Sequence, residues 1–556
     1  MKVKFVIYLW LLVIVILSFW AIRPLFHSGF FPIHDDTQVV RVAQMALALK
    51  DGQFPVRWVK DLGYGYGYPI FNFYAPLPYY FGALFNLLGF DALVATKIMV
   101  GVGIILAGIF MFFLAKEFWG NFGGLVSALF YVYAPYHAVD IYVRGAVGEF
   151  WAMAFLPLVF WGIYKIFQKD RWGVVIASLG FSGIILSHNL TAMMILPFIL
   201  LNILFLFIFS KDKKQFVIHN LQFAIFSLGL SAFYWLPALK EMSLTKVFGQ
   251  IGGGADFHDH FVFLDQLWAS PWGFGGSAPG RPDGMSFMIG KIHILSSLLA
   301  LILGGFLNKK YRNIFLFSGV GFLLAIFLTN RSSLLIWEAI RLMAFIQYPW
   351  RFLIFASFFS SFLAGSIINA LPKKVRWYSP LAAVIFIGAL LFLNIKYFRP
   401  QDYLKMTAAD YLSEENIKWR TSKISDEYLP KDFPLPKDKS DVAWKKIEVV
   451  SGEVEVKNLL NKSHFLNFET ETKKPAEILI NVAYFPDWKI WINQKEERPK
   501  IEKGKLKINL SVGEQKVFLK FSNTPVRNLA NLLSLLSLGA IVWFVLEYKH
   551  ARAGDN

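Results

Sequence analysis

Long apolar runs separated by short polar interruptions dominate the hydrophobic pattern of this chain. The runs are Phe5–Trp20, Ala92–Leu114, Leu125–Pro135, Phe150–Phe167, Gly173–Leu186, Leu190–Phe209, Phe216–Pro237, Ile292–Leu307, Ile314–Leu328, Phe352–Leu371, Pro380–Ile395 and Leu529–Leu546. Uncharged stretches of about 18 residues predict membrane-spanning helices, so the pattern reads as a polytopic α-helical membrane protein with about 12 crossings. Loop charge orders them. "QKDRW", "SKDKKQ", "NKKYRN" and "PKKVRW" fall on one side under this threading, which the positive-inside rule makes cytoplasmic. The first run follows Lys2 and Lys4 and lacks a small-x-small cleavage site, so it is read as an uncleaved helix starting inside. The apolar stretch Leu77 to Phe90 is short for a crossing and reads as a re-entrant or interfacial helix.

A second pattern takes over after the eleventh run. Between residues 398 and 525 apolar and polar positions alternate, as in "KIEVVSGEVEVKN", "AEILINVAY", "KLKINLSV" and "QKVFLKFS", with Gly504 and Gly513 as punctuation. Period-two patterning with turn signals predicts an antiparallel β-sandwich, here tethered by membrane helices at both ends. The expected organisation is a transmembrane domain over 1–397 with a first outer loop at 23–91. An extracytoplasmic β-rich domain over 398–525 and a last helix with cytoplasmic tail over 526–556 complete it.

Composition sharpens this picture at three points. Of 556 residues, 56% are hydrophobic and 57 are Phe, more apolar surface than a soluble chain has reason to carry. The net charge of +18 would suggest nucleic acid in a soluble protein, but in a membrane protein it belongs to cytoplasmic loops, so no nucleic-acid partner is expected. There is no cysteine, which excludes disulfides and thiolate–metal sites.

Under the predicted topology the polar clusters gather on the outer side: His34, Asp35 and Asp36; Asp140, Arg144 and Glu149; His188 and Asn189; Asp256 to His260; Glu338, Arg341 and Arg351. Ionisable groups held near hydrocarbon point to function. In "HDDTQVVRVAQMALALK", Val39, Val42, Ala46 and Leu49 form the apolar stripe of an amphipathic helix suited to lie on the outer leaflet. One aspartate fits the N-cap of that helix; the other is left for chemistry as a base or metal ligand. Glu149 either binds a substrate hydroxyl or neutralises Arg144; His188–Asn189 either reaches substrate or caps a helix; Arg341 either binds phosphate or pairs with Glu338. "DFHDH" reads as a solvated loop, a lid or a metal site. The aromatic text around Tyr66 and Tyr68 suits a membrane interface or the face of a sugar or isoprenoid.

An N-terminal helix followed by an outer loop that opens on an acidic pair resembles the GT-C glycosyltransferases, such as protein O-mannosyltransferases, aminoarabinose transferases and oligosaccharyltransferase catalytic subunits. More closely, "HDDTQVVRVAQMALALKDGQFPVRW", "GYGYGYPIFNFYAPLPYY" and "YVRGAVGEF" resemble bacterial membrane proteins labelled pyruvoyl-tetrahydropterin-synthase-related. Nothing in these residues suggests pterin chemistry. "YFPDWKIWINQ" and "TPVRNLANLLSLLSL" are similar to the end of YfhO-like proteins. The resemblance implies an inverting, hexosyl-type transfer from a polyprenyl-phosphate donor to a glycan, lipid or protein acceptor outside the plasma (inner) membrane. It implies Asp35 or Asp36 as base or as ligand of a divalent metal, Mg or Mn. Arg144, Arg351 and Arg341 would then serve the phosphate, with His34, Glu149, His188, Asn189, Tyr66 and Tyr68 lining the substrate. The competing classes are a transporter or flippase of lipid-linked sugars, which should show mid-membrane charges and internal repeats, and a non-catalytic envelope scaffold.

Overall fold

The computed structural model describes residues 2–250, 252, 255–304, 309–371 and 373–554. Part of the long loop expected over 238–290, the end of the apolar run Ile292–Leu307 and the side chains of Lys2 and Lys4 fall outside what is described. Each of the twelve apolar runs is mainly helical over its described residues. The helices are α1 (Lys2–Leu17), α2 (Gln38–Lys50), α3 (Leu77–Leu87), α4 (Ala92–Val132), α5 (Val147–Phe167), α6 (Trp172–Ser187) and α7 (Asn189–Phe209). They continue as α8 (Lys213–Leu230), α9 (Ala232–Glu241), α10 (Lys291–Leu303), α11 (Lys309–Thr329), α12 (Leu353–Ala370), α13 (Ser379–Asn394) and α14 (Pro525–Gly554). The two runs expected at 92–135 are joined in α4 across a break at Gly120, whose φ of 72° ends one helical segment and starts the next. By length and hydropathy, seven stretches among the described residues qualify as spans, and nine if each of two bent pairs is one span.

The centre of the bundle is α12, packed against α4, α10 and α11. Its sequence "LIFASFFSSFLAGSIINA" is apolar all round, and 94% of its span is covered by protein rather than lipid. Its Phe358 stacks on Phe160 at 5.0 Å, and Trp119 Nε1 donates to Phe362 O at 3.0 Å. By contrast α14 is only 17% covered, so it lies at the rim, beside α8 and α9.

The β-rich region is present, with seven strands β1 (Ile447–Asn461), β2 (Phe465–Ala483), β3 (Trp488–Ile492), β4 (Lys495–Glu497), β5 (Lys500–Glu502), β6 (Lys505–Leu510) and β7 (Gly513–Phe521). Where a two-sheet sandwich was expected, hydrogen bonds join all seven strands in one antiparallel sheet, ordered β4-β3-β7-β2-β6-β5 with β1 on the other side of β2. The reason is the length of β2: residues 465–472 pair with β7 and 476–483 with β6, so one strand carries both halves. Leu466, Phe468, Ile478 and Ile480 alternate inward along it, as a half-buried strand requires. Trp488 is core and Trp491 half-buried.

Residues 398–446, read from sequence as the start of the β region, form irregular backbone and short helical turns instead. This segment runs back over the end of the bundle. Leu404 N bonds Phe30 O (2.7 Å), Lys246 N bonds Leu429 O (3.1 Å) and Lys431 N bonds Leu244 O (2.8 Å). Much of the loop 23–91 is therefore covered by bundle, segment and sheet, while Phe54 and the end of α3 stay exposed. Helix α2 is not an amphipathic helix on a membrane surface: Val39, Val40, Arg41, Val42, Gln44, Met45 and Ala46 are all buried. Its polar face is covered because Arg41 donates to Ser425 Oγ (2.6 Å) and Gln44 to Asp61 Oδ2 (3.0 Å).

Candidate active site

The "GYGYGY" run fixes the loop. Gly63, Gly65 and Gly67 have φ of 64°, 81° and 75°, which drives the intervening tyrosines into the C-terminal region. Tyr64 OH donates to Asp426 Oδ2 at 3.0 Å, Tyr66 OH to Asp441 O at 2.7 Å and Tyr68 OH to Ser425 O at 3.0 Å. Tyr66 and Tyr68 are thus buried in a seam, and neither offers a ring to a substrate.

A short turn then sets the acidic pair. Residues Asp140–Arg144 form a single π-helical turn ending on Gly145 at φ 68°, and this widened turn leaves backbone carbonyls to receive the loop. His34 N bonds Val143 O (3.1 Å), Asp35 N bonds Arg144 O (2.9 Å) and Gln38 Nε2 bonds Gly145 O (2.8 Å). Asp35 is thereby held beside Arg144. Neither aspartate caps α2: the N-cap is Thr37, and no side chain bonds the first-turn amides there. The expected cap is absent because the backbone already ties this turn to the Asp140–Arg144 turn.

Asp35, Arg144, Glu149, His188, Asn189 and Arg351 line one cavity of 360 Å³, which the sequence brought together only as a guess about loop convergence. Its opposite wall comes from Phe73, Tyr74, Glu427 and Tyr428. Glu149 binds two guanidiniums. Its Oε1 is 3.0 Å from Arg144 Nη1, and its Oε2 accepts from Arg144 Nη2 at 3.1 Å and lies 3.3 Å from Arg351 Nε. Tyr136 OH donates to Glu149 Oε1 at 2.5 Å, and Asp140 forms a second ion pair with Arg144. The Arg144 guanidinium also lies 4.6 Å from the Trp350 ring centre. Arg351 makes this one carboxylate contact and donates from Nη1 to Ile346 O at 2.7 Å.

Asp35 is reachable by solvent yet walled by protein. Burial raises its pKa above the ordinary carboxylate value, against the pull of Arg144, Arg41, His34 and Arg351. Glu427 is raised for the same reason, with Arg41 opposing. His188 is pushed down to about 3 by burial, so it is neutral at physiological pH. It also does what its position suggests: Nδ1 accepts from Thr191 N (3.3 Å), capping α7, and lies 2.8 Å from Thr191 Oγ1.

Other candidates lie elsewhere. Asp36 is not among the lining residues; its Oδ1 is buried without a hydrogen-bond partner, and burial raises its pKa to about 6. His34 binds Phe274 O through Nε2 at 2.9 Å, outside the cavity wall. Arg341 is exposed and does not line the cavity. His258 contacts Asp256 (2.6 Å) and Glu338 (3.5 Å), whereas His260 turns to Ser277 (2.8 Å), so the two histidines do not share an ion. Among the described residues no three His, Cys, Asp or Glu side chains gather as a metal site. Asp35 lines the cavity and Asp36 does not, so the two carboxylates do not converge on one point of its wall.

Glu427, Tyr428 and Arg41 were missed from sequence. Glu427 sits in "ISDEYLP", inside a stretch whose composition announces only a polar domain, and Arg41 reads as the solvent face of an amphipathic helix.

The fold and cavity define a polytopic helical membrane protein with a charged, solvent-reachable pocket at one end of its bundle. Residues 71–247 match the family model described as "6-pyruvoyl-tetrahydropterin synthase related domain; membrane protein", the label that the loop motifs anticipated. A protein of Lactococcus lactis subsp. cremoris described as uncharacterised is 31% identical over 252 residues, covering 43% of this chain; the chain spans 40% of that relative's length. Among solved structures the chain is similar to the mycobacterial arabinofuranosyltransferase AftD (TM-score 0.47, 12% identity, 72% of this chain and 27% of that one). It is also similar to the oligosaccharyltransferase AglB of Archaeoglobus fulgidus (TM-score 0.48, 11% identity, 79% and 61%). ArnT of Cupriavidus metallidurans, solved with undecaprenyl phosphate, has a TM-score of 0.40 at 12% identity, with 69% and 63% covered.

Proposed function

We propose that the protein is an inverting membrane glycosyltransferase of the GT-C kind, transferring a sugar from a polyprenyl-phosphate donor to a hydroxyl acceptor on the extracytoplasmic side. The observation that carries this reading is one cavity in which a solvent-reachable carboxylate, Asp35, stands beside the Arg144–Arg351 pair. It is also the activity that the loop motifs imply.

Asp35 accepts the proton of the acceptor hydroxyl as its oxygen attacks the anomeric carbon. The bond from that carbon to the phosphate oxygen breaks, and the electron pair leaves with the phosphate. A carboxyl raised by burial is a stronger base than a free one and suits this step. Arg351, with its single carboxylate contact, is the cation best placed to take the leaving phosphate. Arg144 is already neutralised by Asp140 and Glu149, so it acts as a positioning residue that fixes Asp35 through its own carbonyl. Glu427 and Tyr428, on the facing wall, orient the acceptor.

The test is complementation of a deletion strain that accumulates a polyprenyl-phosphate sugar. Asp35→Asn is expected to leave the lipid-linked sugar unused, a loss of about 100-fold or more in transfer for a missing base. Asp36→Asn is expected to restore transfer. Normal surface glycan with Asp35→Asn would sink the reading in favour of a scaffold.

A further inference from the structure

A second cavity, of 370 Å³, lies away from the first and shares no lining residue with it. It is formed by Gln53, Phe54 and Arg57 of the loop after α2, by His464 and Lys520 at the end of the sheet, and by Asn528 in the first turn of α14. Nothing in the proposed transfer uses it.

The charge around this cavity does not balance. Arg57 is 3% exposed, and its two terminal nitrogens donate to neutral amides only, Asn72 Oδ1 at 2.8 Å and Asn531 Oδ1 at 2.9 Å. A second guanidinium, Arg527, is fully buried close by and takes a buried carboxylate, donating to Glu241 Oε2 at 3.1 and 2.9 Å. Glu241 Oε2 also accepts from Asn72 Nδ2 at 2.8 Å, so Arg57 feels that carboxylate across an amide, and one carboxylate faces two guanidiniums. Asp487 acts on Arg527 from further off, and Asp51 is taken by Lys462 at 2.9 Å. Burial, with Arg527 beside it, pushes Arg57 down to about 10 against the pull of Glu241 and Tyr80, so it remains cationic at neutral pH. A buried guanidinium without its own counter-ion is costly to maintain. Lys520 adds an exposed cation at the cavity wall.

The surroundings say where an anion would come from. Asn528 belongs to the first turn of α14, a helix long and apolar enough to span and only 17% covered by protein, so the cavity sits at a water–lipid boundary. Phe54 on its rim is 80% exposed, its ring 6.0 Å from that of Tyr80. An unshielded aromatic at that height belongs in the headgroup region.

We propose that this second cavity binds a phosphate ester, and that the phosphate is the headgroup of an anionic membrane lipid. Arg57 and Lys520 supply the charge, Asn528 and Gln53 polar contacts, and Phe54 anchors the rim at the headgroup level.

The experiment uses full-length protein in neutral detergent, with thermal unfolding followed during titration with phosphatidylglycerol, phosphatidylcholine or sodium phosphate. Phosphatidylglycerol is expected to raise Tm saturably and phosphatidylcholine not to. Lys520→Gln, on an outward strand position where folding is safe, should move half-saturation by about fivefold, the effect of one basic residue near an anionic surface. Phe54→Ser should weaken phosphatidylglycerol and leave the response to phosphate unchanged. Equal stabilisation by both lipids, or a phosphatidylglycerol titration unaffected by Lys520→Gln, would overturn the proposal. Phosphate matching phosphatidylglycerol in wild type and Phe54→Ser alike would uphold the anion site and overturn the lipid as its source.

Discussion

Glu149→Gln perturbs the most connected charge in the first cavity. The carboxylate lies 3.0 Å from Arg144 and 3.3 Å from Arg351, and it accepts the Tyr136 hydroxyl at 2.5 Å. At an effective dielectric of about 20, each guanidinium contact is worth roughly 5 kcal/mol of attraction before desolvation is subtracted. The amide keeps the shape and one acceptor but leaves Arg144 with Asp140 alone and Arg351 with no carboxylate. Breaking a buried pair in this way costs about 3–5 kcal/mol, because what remains is an uncompensated buried charge. Equilibrium unfolding in mixed SDS micelles, followed by tryptophan fluorescence, measures it. The double variant Glu149→Gln/Arg351→Gln removes one of the stranded cations and should recover about 1 kcal/mol or more relative to the sum of the single variants. If Glu149→Gln destabilises by less than about 1 kcal/mol, or the double variant is simply additive, Glu149 is not the counter-ion of both arginines.

Asp36→Asn should stabilise the protein in a pH-dependent way. The folded pKa of about 6 stands above the ordinary value, so wild type loses stability as pH rises from about 4 through 6 and holds a lower plateau above it. The variant should therefore gain Tm at pH 8 and match wild type near pH 4; a gain that does not depend on pH would contradict the burial of this carboxyl. Gly65→Ala places a Cβ 2.7 Å from Ala443 O at a φ of 81°, which should loosen the seam by about 1–3 kcal/mol and expose residues 398–446 to limited proteolysis. Unchanged protease resistance would mean that the seam does not depend on that close approach.

Much of this architecture was legible because it is written in local periodicity. Lipid accepts only backbone that bonds to itself, so each apolar run had to be helical, and among the described residues each mainly is, with a break at Gly120. Alternation marked the strands, since a half-buried sheet repeats every two residues. The convergence of Asp35 with Arg144, Glu149, His188, Asn189 and Arg351 was inferred from loop topology, and the cavity brings those six together.

What sequence could not decide depended on which surfaces meet. The polar face of α2 looks solvated until Ser425 and Asp61 are placed on it. Tyr66 and Tyr68 look like a ligand platform until the segment after α13 is laid across them. The two aspartates of "HDD" are equal in the chain, and only the backbone bonds to Val143 and Arg144 turn Asp35 into the cavity and leave Asp36 beside it, with one carboxylate oxygen buried and unpaired. Periodicity reports a residue's own helix or strand; contacts across 100 or more residues leave no period, and the division of labour within the acidic pair is such a contact.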